Sequence, residues 1–152
     1  MFLAAPARHK GIIVKRTVVA VLSLLSALYL FSAEPENTHT IDSFLKQCME
    51  RDPSTFGTVA CIRKAGEMWE KELNRNYTLL LAALSGNAKK NLIKAQKKWL
   101  EYREAEIRYT AEFYGSLQGT MYRIFAADRV MSITRERALK FAQHLELFRS
   151  SR

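Results

Sequence analysis

Large apolar residues recur every three or four positions over most of the chain, and the polar residues between them fall on the opposite side of each helical turn. The longest such stripe is Ile62, Ala65, Trp69, Leu73, Tyr77, Leu80 and Leu84, which predicts one long amphipathic helix. A second runs through Leu92, Ile93, Gln96, Trp99, Leu100, Arg103, Ile107 and Phe113 or Tyr114. A third holds Met121, Ile124, Phe125, Met131, Thr134, Ala138, Phe141, Leu145 and Phe148, and a shorter one before them holds Ile41, Phe44, Leu45 and Cys48, with Thr40 as N-cap. No stretch alternates with the period of a strand. The expected fold is all-α, a small antiparallel helical bundle built on the long hairpin of the first two stripes, whose tryptophan blocks pack on each other.

The breaks between stripes carry their own chemistry. Pro53 and Gly57 punctuate residues 52–57, and Ser85-Gly86-Asn87 reads as a stop at Gly86 followed by an N-cap at Asn87. Two glycines within residues 115–119 predict a bend or short loop.

The N-terminal segment follows a different pattern. Arg8, Lys10, Lys15 and Arg16 precede an uncharged apolar run over residues 17–31. That run is shorter than the roughly 20 residues of a typical spanning helix, so residues 1–33 read as a secretory signal, with an uncleaved inner-membrane anchor as the alternative. Residues 34–39 read as a flexible leader containing Pro35, and residues 40–148 as the helical domain. Export to the periplasm or beyond is the expected localisation, with membrane attachment only through that segment.

Removing the segment changes the charge. The whole chain carries 24 Lys+Arg against 15 Asp+Glu, a net +9, but four of the cations lie in the signal, leaving +5. That mild surplus falls short of a nucleic-acid footprint. Lys89, Lys90, Lys94, Lys97 and Lys98 share a helical side with Glu101, Glu104 and Arg108, the mixture expected of a solvated face. Binding of an anionic surface is the alternative use of those lysines.

Cys48 and Cys61 are the only cysteines. In an oxidising compartment such a pair predicts a disulfide, and closing a loop of this size stabilises a fold by about 3 kcal/mol. The C-x-x-C spacing of a redox pair is absent.

Catalysis is the least supported class of function. His9, His39 and His144 are scattered, no nucleophile, base and carboxylate form a constellation, and metal-site spacings such as H-E-x-x-H are missing, so no catalytic residue, metal or cofactor is expected. Trp69, Leu73, Tyr77, Trp99, Tyr102, Thr134 and Arg137 read as structural positions. Asn74, Gln96 and Arg103 read as an interhelical polar network, with Arg103 reaching Glu106, Glu70 or Glu72; a recognition site is the alternative.

The order of these blocks resembles a known family. Cys48 and Cys61, then Trp69 with Leu73-Asn74 and Tyr77, then Ala95-Gln96 with Trp99-Leu100 and Tyr102-Arg103, then Thr134-Arg135-Glu136-Arg137-Ala138 are similar to the LprI-like lysozyme inhibitor family. These are small exported helical proteins, named for a lipoprotein that inhibits lysozyme. The resemblance spans residues 41–147 and implies an envelope protein that occludes lysozyme or a related cell-wall hydrolase. The alternative is a periplasmic structural, interaction or immunity-type protein with no effect on lysozyme. Two departures stand out: many relatives carry a further cysteine where this chain has Glu106-Ile107, with its partner where this chain has residues 126–129, and the lipid-attachment cysteine is also absent.

Overall fold

The computed structural model describes residues 39–151, which form four helices: α1 (Thr40–Arg51), α2 (Thr55–Ala83), α3 (Gly86–Gly115) and α4 (Met121–Ser150). No strand occurs among the described residues. The expected signal segment and all of the leader but His39 lie outside them.

Each helix start has a local cause. The imidazole Nδ1 of His39 accepts the Ile41 amide at 3.2 Å, so His39 rather than Thr40 caps α1. Its ring also lies 4.4 Å from that of Trp69, which ties this residue of the leader into the fold. At α2, Ser54 Oγ accepts the Gly57 amide at 3.0 Å while Asp52 accepts from both the Ser54 amide and hydroxyl. The turn is therefore only three residues long, and Gly57 belongs to the first turn of the helix. It is glycine because a Cβ there would collide with the Asp52 carboxylate.

The connection after α2 differs from expectation. Ser85 stands at the N-cap of α3 without a side-chain hydrogen bond, Gly86 opens the helix at φ +54°, and Asn87 lies inside it. The positive φ suits glycine because it has no Cβ to clash. After α3, Gly119 at φ +119° completes the loop predicted at residues 115–119.

The disulfide forms as expected, joining Cys48 of α1 to Cys61 of α2 across the short turn, with Cα atoms 5.7 Å apart. Asp42 and Arg135 add a bidentate ion pair between α1 and α4 at 2.7 to 3.2 Å. Arg135 also lies 5.4 Å from the Trp69 ring centroid.

The core seam lies between α2 and α4. Ile62, Ala65, Trp69, Leu73 and Leu80 meet Met131, Ala138, Phe141 and Leu145, all almost fully buried. The two helices run parallel: Gly66 faces Met131, Asn76 donates to the Ala138 carbonyl, and Tyr77 stacks on Phe141 at 5.8 Å, so positions advance together. The hairpin partners α2 and α3 were expected to form this seam. Instead α3 packs chiefly on α4, and the apolar residues it lays against the core, among the described residues, are Leu92 and Trp99, both partly exposed. The α4 stripe offers α2 more buried apolar surface than the Lys- and Glu-rich α3 can, and burial sets the pairing.

Candidate functional site

Polar and cationic groups hold α3 to its neighbours. Arg103 donates to Glu70 of α2 at 2.6 Å, and its guanidinium lies 4.9 Å from the Trp99 ring centroid. Arg137 of α4 takes the other approach to Trp99, at 5.6 Å, while covering Phe141 at 4.4 Å and donating to Gln96 at 3.1 Å. Burial pushes the Arg137 guanidinium below the ordinary arginine range. Cation–π contacts and a hydrogen bond to a buried amide oxygen offset that desolvation.

Gln96, Trp99, Arg103 and Arg137 are thus brought together into one chain of contacts running from Glu70 to Phe141. Asn74 is not part of it: this residue is exposed, and the buried asparagine is Asn76, which donates to the Ala138 carbonyl at 3.3 Å and to Glu72 at 3.1 Å. The two differ by two positions, which on a helix exchanges an outward for an inward direction. Trp69 and Leu73 are buried in the seam, and the Trp69 indole N–H has no hydrogen-bond partner among the described residues. Thr134 is buried beside α2. Tyr102 is half exposed, its hydroxyl 3.5 Å from Arg129.

Arg129 also donates to Glu106 at 2.8 Å, a bond that raises its already high pKa. Glu106 and Arg129 occupy the two places where the resemblance leads one to look for an extra cysteine pair. An ion pair therefore links α3 to α4 there in this chain.

The exposed chemistry lies at the α3 to α4 turn. Tyr109 and Phe113 stack at 5.7 Å, Phe113 meets Tyr114 edge-on at 5.1 Å, and Tyr114, Tyr122 and Phe125 lie within 6.1 to 6.4 Å of one another. Tyr109 is 59% exposed, Met121 55%, Phe113 46% and Phe125 42%. Behind the loop lies a depression of about 500 Å³ lined by Tyr114, Leu117, Tyr122 and Arg123. Contiguous exposed aromatics of this kind mark binding surfaces, because they bury much area at small entropic cost. Sequence reasoning marked the loop but missed the aromatics. Their signal was available: five aromatic rings flank one glycine pair within residues 109–125.

Among the described residues no group of three or more His, Cys, Asp or Glu could hold a metal ion, and no helix is long and apolar enough to cross a membrane.

Comparison with known proteins places these features. The family model described as Lysozyme inhibitor LprI matches residues 47–141, from the first cysteine block through the α4 core. A crystal structure of an uncharacterized protein from Burkholderia thailandensis superposes with a TM-score of 0.71 at 29% sequence identity. The match covers 74% of this chain but only 57% of that one. No curated protein matches the chain.

Proposed function

Because the chain belongs to the LprI family of lysozyme inhibitors, we propose that it is an exported envelope protein that binds lysozyme or a related cell-wall hydrolase and occludes its cleft. The observation that carries the reading is the exposed aromatic cluster around residues 115–119. A cleft that binds polysaccharide is concave, and exposed tyrosine, phenylalanine and methionine side chains at a helix–helix turn fit into one as anchors. The turn before α2 is only three residues long, and the one large apolar side chain exposed beside it is Phe56.

Charge supports an aromatic rather than an electrostatic contact. The exported part carries +5, and a basic hydrolase would not be steered toward it over long range. Affinity then depends on short-range burial at the tip. The α2/α4 seam holds α4, one of the two helices that carry the loop, which lowers the entropy cost of inserting it.

Titrating the purified exported domain against lysozyme turnover of cell walls tests this reading. Saturable inhibition is expected, weakened at least about tenfold in Phe113→Ala/Phe125→Ala, as for a pair of anchoring aromatics. Absence of inhibition at large molar excess, with the domain folded by circular dichroism, overturns it and leaves an interaction or immunity-type role.

A further inference from the structure

A second concavity lies on the side of α2 away from α1. It is a groove of about 1250 Å³ between the first half of α2, the second half of α3 and the first half of α4. It exists because α3 packs on α4 and meets α2 through long side chains such as the Arg103 to Glu70 pair, leaving space where a helix would complete the packing. Its deepest residues are the buried Ile62, Thr110, Met131 and Thr134, and small residues, among them Ala60, Gly66, Ala111 and Ala127, line it beside Val59, Ile107 and Val130.

Its charge is uneven. Six charged residues line it, and four are neutralised in pairs, Lys64 with Glu67 at 3.0 Å and Arg103 with Glu70 at 2.6 Å. The remaining two are Arg63 on α2 and Arg123 on α4, both exposed and neither within ion-pair distance of a carboxylate among the described residues. An apolar trough thus carries an uncompensated cation on each of two walls.

We propose that this groove docks an amphipathic helix of a partner protein whose apolar stripe is flanked by acidic residues. The lining of α2 runs from Thr55 to Glu70, about four helical turns or ~22 Å, a length suited to a helical segment. The volume exceeds the roughly 300 to 1,000 Å³ of most small-molecule sites. Small residues along the groove allow a helix axis to come close, and the flanking acids meet Arg63 and Arg123. Recognition follows the helix-in-groove mode, with apolar anchors providing affinity and the two arginines selecting the sign of the partner's flanks. The groove adjoins the depression behind the aromatic tip and shares Ala111, Thr120, Arg123 and Ala126 with it, but it contains none of the tip's aromatic rings.

The probe is a fluorescein-labelled 18-residue designed helix with a leucine stripe and glutamate flanks, read by anisotropy against the folded exported domain in the absence of lysozyme. A twin peptide with lysine flanks and a scrambled peptide serve as controls. The glutamate peptide should bind and the lysine peptide should not. In Arg63→Glu/Arg123→Glu the preference should invert, with the glutamate peptide weakened at least about tenfold and the lysine peptide gained. Inversion also proves that the doubly substituted protein is folded. Equal binding of all three peptides, or binding indifferent to the charge reversal, overturns the proposal. So does saturable binding of oleate in the same assay by displacement of a fluorescent apolar dye, if neither peptide binds. Neither result depends on whether lysozyme is inhibited.

Discussion

The α2/α4 seam and the attachment of α3 show two ways of joining helices in one small domain. The seam is dry: Trp69, Leu73 and Phe141 are almost completely buried, and Asn76 inside it spends its amide on a backbone carbonyl. The α3 attachment is largely polar, built from Arg103, Glu106, Gln96 and their partners around a tryptophan that keeps partial exposure. The hydrophobic effect stabilises the seam in proportion to area, whereas ion pairs at half-exposed positions contribute little each. The difference implies that the domain is held together by α2 and α4, while α3 is a ledge fixed in register but less tightly bound. Both concave surfaces lie along that ledge, which is where a binding protein tolerates lower local stability.

Truncating one aromatic on each side puts the contrast to its strongest test. Phe141→Ala, in the seam, should destabilise by about 3 to 5 kcal/mol in urea unfolding, since the site is closed on all sides. Trp99→Ala removes a larger side chain from a half-open site and should cost less, about 1 to 3 kcal/mol. Equal losses would mean that α3 belongs to the same cooperative core.

A smaller effect separates the two regions by location. Arg103→Met keeps the aliphatic contact and removes the bond to Glu70, and should cost no more than about 1 kcal/mol globally. Amide exchange should accelerate in α3 and leave α2 unchanged. Uniform acceleration would contradict the view of α3 as a separately held element.

The smallest effect expected is that of alkaline pH. Hydrogen bonds to Glu106 and Asp42 raise the pKa of Arg129 and Arg135 above the ordinary arginine range. A raised pKa contributes stability that is fully present below the unfolded value and lost only as pH climbs through the folded one. Both lie far above neutrality, so these pairs should persist unchanged from pH 7 to about pH 10. A fall in Tm across that window in the wild-type protein but not in Glu106→Gln/Asp42→Asn would assign the loss to these pairs and contradict the expectation.

Helix identity was legible in the residues because a 3.6-residue stripe needs no tertiary knowledge to be seen. So was the Cys48 to Cys61 bridge, whose short spacing and solitary pair left no competing connectivity. The block order around Trp69 and Trp99 was legible too, and the family match over residues 47–141 agrees with it. Asn74 was misread for Asn76 because a polar residue beside a stripe is nearly indistinguishable from one within it, and only packing decides which is covered. His39 reads as leader in the sequence because histidine is not a usual N-cap residue and its contact with Trp69 joins residues that are neighbours only after folding.

By itself, then, the sequence determined four helices, since an apolar stripe is encoded in local spacing, and the order of its motif blocks carried the resemblance to the family. Which helices share the core could be decided only by tertiary structure. Short loops pointed to α2 with α3, but α4 offered α2 the larger matching apolar face, and burial outweighs connectivity. That choice left α3 anchored by arginines, opened the groove beside it and placed the aromatic residues of the last turn on the surface.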